Sequence, residues 1–247
     1  MQIDQSERIR MERAHVHAWP ALRTANIEGW LWRASGGGSQ RANSVSTVDF
    51  TGNDPEAAID AVEARYRAEG MTPRFQAFDE TEPHDLQERL RRRGYRQTEA
   101  TITLCKQPAP LPSGDVETRD HAWDGWRAVY LGQITENRRE MNNRILDRIP
   151  QPAAFFAARL DRELAATALC VIDAGCAVVE CVATDTPARR RGAARLVMQA
   201  LEAWAAGQGC DALCLQVVES NGPALALYAG LGFQASARNS FWMPGNP

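Results

Sequence analysis

Four arginines gather around a glycine at positions 189–195, Arg189-Arg190-Arg191-Gly192-Ala193-Ala194-Arg195. A β-branched run, Cys176–Thr184, comes before them, and an apolar helical pattern over Gly192–Ala206 follows. A helix start carries free N–H groups and the positive end of the helix dipole. Glycine at that point lets a ligand come close to the backbone, and Ala193 and Ala194 add little bulk. Cations placed there oppose the dipole by roughly 0.3–1 kcal/mol each when exposed, so four together suit a bound polyanion such as a pyrophosphate. A solvated basic turn is the plain alternative. A second group with chemistry is Glu180. In the strand CAVVECVAT, alternation sets Val178, Glu180, Val182 and Thr184 on one face, with Cys181 turned the other way. A carboxylate among apolar neighbours is either a proton acceptor or one half of an ion pair.

The elements that must hold these residues can be read from periodicity and breakers. The stretch Gln107–Gly114, QPAPLPSG, is a linker that divides the chain into comparable halves. We therefore expect one unit over residues 1–106 and a second over 115–247. In the first, helices are expected over Glu7–Trp19, Pro55–Glu69 and Asp85–Arg93, with Asn53 or Asp54 capping the second. Strands are expected over Ile27–Ala34, Arg41–Phe50, Arg74–Phe78 and Thr98–Cys105. Arg41-Ala-Asn-Ser44 and the Gly36–Gly38 turn read as parts of a hairpin, with walling of a binding pocket as the alternative. In the second, His121–Arg148 is helical, as one helix or two. Three strands follow: Ala154–Leu160, Leu164–Ile172 and Cys176–Thr184. A helix over Gly192–Ala206, a strand over Ala212–Val218, a helix from Asn221 or Gly222, and a last strand near Ser236–Met243 complete it. The halves echo one another: AIDAVEARYRAEG, strand, LQERLRRRGY against LVMQALEAWAAGQG, strand, ALALYAGLGF. We read a divergent tandem repeat. Packing of one half on the other would then cover Trp30, Trp32, Val45 and Phe50.

Composition narrows the function classes. The 247 residues are 44% hydrophobic with a net charge of -3, which gives no general reason to expect nucleic acid or an anionic membrane as partner. The N-terminus has no apolar leader pattern, and no stretch approaches spanning length, so a cytoplasmic protein is expected. The six cysteines lack paired spacing and read as free thiols; no His/Cys set has zinc-ligand spacing, and no metal is expected.

The strand–Arg189-Arg-Arg-Gly192-Ala-Ala194–helix arrangement resembles the signature of the GNAT superfamily of acyl-CoA N-acyltransferases. A second segment, Asn221-Gly-Pro-Ala224-Leu-Ala-Leu-Tyr228-Ala-Gly-Leu-Gly232-Phe233, is similar to the family's downstream motif. The position of Pro187 is offset by one from the commonest form. The resemblance implies an α/β (α+β) fold of two GNAT-like units, each a mixed, mostly antiparallel sheet flanked by helices. It implies acetyl-CoA as the acetyl donor. Its pantetheine would lie in a gap between Cys176–Thr184 and Ala212–Val218, opened by a bulge, beside Val182, Ala183 and Thr184. Its pyrophosphate would lie on the amides of Arg190–Ala194, and Arg189, Arg190, Arg191, Gly192, Ala193, Ala194, Arg195, Asn221, Ala224 and Tyr228 join the cofactor-binding set. Tyr228 takes the position of the acid that protonates the departing thiolate; a phenol of pKa about 10 suits a thiolate of pKa roughly 8.5. Its alternative is a core tyrosine. Glu180 is placed to receive the amine proton, with Glu219 and Asp185 as substitutes, and a backbone amide near Val182 would serve the oxyanion. The acceptor implied is an amine-bearing small molecule or a peptide N-terminus, and the protein a monomer or homodimer. A catalytically silent acyl-CoA-binding module is the rival reading. The matching first-half loop, Asp49–Glu56, has acids where the second has arginines, so one acetyl-CoA per chain is expected.

Overall fold

The computed structural model describes residues 3–112 and 114–245; Ser113, within the proline-rich linker, lies outside the described residues. Helix α1, Gln5–Ala18, starts where the Asp4 side chain accepts the Glu7 amide at 2.9 Å. Strands β1, Arg23–Ile27, and β2, Trp30–Ala34, form a hairpin about Glu28 and Gly29. The strand expected over Arg41–Phe50 shrinks to β3, Val45–Ser46. Arg41–Asn43 is instead a 3₁₀ turn. The cause is the Asn43 carboxamide, which accepts the amides of Ser35 and Gly36 at 2.8 Å each and folds the loop back on itself. Helix α2, Pro55–Ala68, strand β4, Phe75–Phe78, helix α3, Leu86–Arg92, and strand β5, Tyr95–Lys106, complete this half.

The second half begins with β6, Val116–Arg119, a short edge strand whose polar sequence gave no strand signal. The segment His121–Arg148 holds two helices, α4, Asp124–Gly132, and α5, Glu136–Leu146. Strands β7, Ala153–Leu160, β8, Glu163–Asp173, and β9, Cys176–Thr184, make an antiparallel meander. Helix α6, Ala193–Gly207, strand β10, Ala212–Val218, helix α7, Gly222–Ala229, and strand β11, Gln234–Pro244, follow.

Strands from both halves join one sheet in the order β1-β2-β3-β4-β11-β5-β10-β9-β8-β7-β6. The order α2-β4-α3-β5 matches that of α6-β10-α7-β11, but the two final strands have changed places. Strand β5 pairs antiparallel with β10, and β11 pairs antiparallel with β4 and β5. Each half thus lends its last strand to the other. The halves interlock a second time through α1, whose Met11, Ala14 and Ala18 are buried with Trp126, Ile145, Leu169 and Val178 of the second half.

On the opposite face, α6 and α7 cover Phe156, Val179 and Leu215. The aromatic face of the first half is closed chiefly by that half's own helices, where the repeat suggested cover by the second half. Trp30, Trp32 and Val45 are buried by Ile59, Val62 and Tyr66 of α2 and Leu86 and Leu90 of α3, with Trp242 of β11 added. An amphipathic helix in the same half already supplies the apolar stripe those residues need.

Between α1 and the sheet, Glu12 is fully buried, and its carboxyl accepts from Thr103 Oγ1 at 2.6 Å and Gln216 Nε2 at 2.8 Å. Burial, opposed by these bonds and reinforced by Glu80 and Asp79, raises its pKa from 4.5 to about 8. A carboxyl whose folded pKa is raised contributes most below its unfolded value, and that contribution is lost as pH rises through the folded value. Stability should therefore decline between about pH 4.5 and pH 8. Glu12→Gln should flatten that decline in chemical denaturation, and a variant with the wild-type slope would show that Glu12 titrates normally.

Candidate active site

Strands β9 and β10 run parallel and pair from Ala212 opposite Cys176 to Leu215 opposite Val179. Beyond that point they part. The parting coincides with a bulge in β9: Leu169 of β8 faces Glu180, while Thr167 faces Ala183, so Cys181 and Val182 together face one residue. Cys181 takes φ 54° to make it. The bulge shifts the alternation, and here the sequence reading needs correcting. Glu180 lies on the α1 face with Val178, and Cys181 joins that face, packed among the same cluster, rather than turning away. Val182 packs on the α6 face with Val179. A strict period of two cannot survive an inserted residue.

The gap opens a cleft of about 880 Å³ that reaches the start of α6. Thr186–Ala188 forms a 3₁₀ turn, Arg190 has φ 64°, and Gly192 has φ 88°. Left-handed residues beside ordinary ones turn successive amides toward one side, an anion-binding backbone shape. Among the described residues, the other non-glycine left-handed positions, Glu28, Asp161, Arg162 and Ala174, sit in hairpin turns. Cys181 and Arg190 are the two that line the cleft. No side chain caps α6, and a Cβ on Gly192 would meet nothing within 4 Å. The helix start therefore faces open space with its amides available.

Glu180, Val182, Ala183, Thr184, Arg189, Arg190, Gly192, Ala193, Ala194, Arg195, Asn221, Ala224 and Tyr228 all line this cleft. Arg191 does not: its guanidinium turns to Asp161 at 2.6 Å. Arg189 is held by Gln133 Oε1 at 2.8 Å and Arg195 by the Gly230 carbonyl at 3.3 Å. Asn221 caps its own helix, accepting the Ala224 amide at 3.2 Å. Tyr228 is 7% exposed and meets Phe233 edge-on at 5.8 Å. Burial, and secondarily the Glu180 charge, pushes its pKa up to about 12.

The Glu180 carboxylate is clamped by Arg41, Nη1 to Oε1 at 2.6 Å with a second bond from Nη2 to Oε2. Burial works to lower the Arg41 pKa, but the Glu180 charge outweighs it and holds it above its ordinary value. Sequence reasoning missed this pairing. The partners are 139 positions apart and in different halves, and the hairpin reading of Arg41 gave no reason to join them. The 3₁₀ turn that replaces the expected strand aims Arg41 at the cleft. Gly38 and Gln40 of the preceding turn line an adjoining cavity with Arg41, so the turn is a pocket wall. Cys181 is half-buried at the surface of the cluster, and loss of solvent, with Glu180 nearby, raises its pKa above the ordinary thiol range. It is not a ready nucleophile. Among the described residues no cluster of His, Cys, Asp or Glu could hold a metal ion. No described helix is long and apolar enough to cross a membrane.

Two parallel strands that part over an uncapped, glycine-started helix, with a tyrosine on the next helix, define the GNAT class of N-acetyltransferases. The chain belongs to the family described as "Probable histone acetyltransferase Rv0428c C-terminal", whose model matches residues 6–242. It is 24% identical over 242 residues to an "Uncharacterized N-acetyltransferase YobR" of Bacillus subtilis (strain 168), covering 94% of this chain and 96% of that one. A GCN5-related N-acetyltransferase from Kribbella flavida superposes with a TM-score of 0.67 at 18% identity, over 99% of this chain and 98% of that one. A tandem GNAT protein from the clavulanic acid biosynthesis pathway has a TM-score of 0.62 at 14% identity, over 78% and 70% of the two chains. The α/β class with a mixed, mostly antiparallel sheet between helices agrees with the sequence reading.

Proposed function

We propose that the protein transfers an acetyl group from acetyl-CoA to an amine by direct attack in a ternary complex, using one cofactor site per chain. The observation that carries this reading is the continuous cleft from the β9–β10 parting to the uncapped start of α6, with Tyr228 on its wall. Acetyl-CoA, as cosubstrate, supplies the activated thioester. Its pyrophosphate fits the amides after Gly192 and the cations Arg189, Arg190 and Arg195; Arg191 serves through its backbone, since its side chain is engaged by Asp161. Val182, Ala183 and Thr184 offer unpaired strand backbone on one wall, and Asn221 and Ala224 form the other.

The attacking nitrogen must lose a proton and the leaving sulfur must gain one. Glu180 faces the cleft and receives the amine proton, its orientation fixed by Arg41. Tyr228 gives its hydroxyl proton to the sulfur as the carbon–sulfur bond breaks. The products are the N-acetylated amine and the CoA thiol, and the phenolate recovers its proton from solvent. The backbone near Val182 stabilises the charge that develops on the carbonyl oxygen.

The first half carries a degenerate counterpart of this site. At its α2 start, Asp54 accepts the amides of Glu56 and Ala57 at 3.0 and 3.1 Å, so a carboxylate already satisfies groups a phosphate would need. Leu90 lies buried near the position corresponding to Tyr228.

Gly192 tests the cofactor site. Aspartate and asparagine tolerate left-handed backbone better than other side chains, and open space surrounds the position. Gly192→Asp should weaken acetyl-CoA binding by about tenfold or more in calorimetry, and neutral Gly192→Asn by much less. Unchanged affinity in Gly192→Asp would place the phosphates elsewhere.

A further inference from the structure

The cleft does not end at Glu180. It runs on into a cavity of about 300 Å³ walled in part by Trp19, Gln40, Glu99 and Phe241. Arg41, Tyr130, Arg138, Gln216 and Val218 line both spaces, so they mark the junction. Two polar groups at this junction lack partners among the described residues. Arg138 Nε is buried without a hydrogen bond, and its guanidinium forms no ion pair there, whereas Arg41 at the same junction is matched by Glu180. Gln216 Oε1 is likewise buried without a partner. Its amide nitrogen is fixed by Glu12 at 2.8 Å and Thr103 at 3.4 Å, which leaves the oxygen as the group still to be satisfied. Gln216 follows Leu215, the last residue of β10 paired with β9, so it stands where the gap begins.

A cation and an acceptor without partners, on side chains at the junction of the two spaces, are complementary to a molecule that bears an anion and an amine together. Of the other charges there, Arg41 is matched by Glu180 and Glu99 is bonded by Gln40 Nε2 at 2.8 Å, which leaves Arg138 as the cation without an ion-pair partner among the described residues. We propose that the acceptor is a small amino carboxylate, its carboxylate held by Arg138 and its amine nitrogen by Gln216 Oε1 beside Glu180. This rests on the acetyl-CoA reading above and names the acceptor class for the same site. The reaction balances as before: the amine loses one proton and gains the acetyl group, and CoA leaves as the thiol. Glu99 in the same cavity disfavours a second carboxylate, so monocarboxylates are preferred over dicarboxylates. The first half of the chain thereby supplies a wall of the acceptor pocket through Trp19, Gln40, Arg41 and Glu99.

The test uses the full chain with acetyl-CoA and reads thiol release for each standard amino acid against its amide. The amide keeps the amine and side chain and removes the anion, and its lower amine pKa favours it in the absence of recognition. At least one amino acid should exceed its amide in kcat/KM by about tenfold or more. Arg138→Gln should bring that ratio to one or below with unchanged acetyl-CoA affinity, and Arg138→Lys should keep part of it. The proposal is overturned if amides are used as well as or better than the acids, or if the preference survives in Arg138→Gln. It is also overturned if amino acids are inert while a polyamine or a histone-tail peptide releases thiol. Failure of acetyl-CoA to bind the wild type is a different result: it overturns the cofactor reading itself.

Discussion

Tyr228→Phe should lower kcat by roughly 10- to 10⁴-fold and leave acetyl-CoA affinity nearly unchanged. The substitution removes one oxygen and keeps the ring that packs against Phe233 and the α6 face of the sheet. Stability should therefore move little, which separates a proton donor from a core tyrosine. The raised pKa sharpens the expectation. With its pKa pushed up to about 12 by burial and by Glu180, Tyr228 stays protonated through the working range. The pH–rate profile of the wild type should show no alkaline fall from this group below about pH 10. Stopped-flow or steady-state thiol release measures both. A Tyr228→Phe enzyme with wild-type kcat would remove the acid role and leave the residue as packing.

Strand β9 shows where sequence reasoning holds and where it fails. Elements with strong periodicity were readable: β7, β8, β9, α6 and β10 lie within a residue or two of expectation, because apolar alternation and the Gly192 break are local signals. The gap between β9 and β10 was expected from family resemblance, not from residues. The consequence of its bulge was not: the one extra residue at Cys181 reverses the facing of everything after it, and no composition rule marks Cys181 as left-handed. Arg41 failed for another reason. Its environment is decided by Asn43, which folds the loop through backbone amides, and by Glu180 in the other half. Polar side chains in a loop carry no periodicity, so the site's clamp and the unpartnered Arg138 emerge only once the chain is folded. The exchange of β5 and β11 was equally hidden. Both strands have the right pattern for a sheet, and pattern does not specify which neighbour a strand takes.

That exchange makes a severe prediction for residues 115–247 expressed alone. In the full chain β10 has β5 on one side and β9 on the other. Excision strips β5 away and exposes the β10 edge, while β11 loses both β4 and β5. An open apolar edge is an invitation to aggregate. The fragment could repair this by folding β11 back against β10, the arrangement each half would adopt without exchange. It has no such remedy for α1. Met11, Ala14, Ala18 and Trp19 leave the opposite face, uncovering part of the cluster around Trp126, Leu169 and Val178. Burying one large apolar side chain is worth roughly 1.5–3 kcal/mol, so losing Met11 and Trp19 alone consumes much of the 5–15 kcal/mol that usually separates folded from unfolded states. Arg41 goes too, leaving Glu180 a largely buried carboxylate without its cation. The fragment should be insoluble, or should unfold at much lower denaturant than the full chain, and should show no acetyl transfer. A soluble fragment with full activity and a wild-type unfolding midpoint would mean that the first half is dispensable. The intact chain, by contrast, should saturate near one equivalent of acetyl-CoA, because Asp54 occupies the helix start that a second cofactor would need. Two equivalent sites in calorimetry would overturn the degenerate reading of the first half even if the fragment failed to fold.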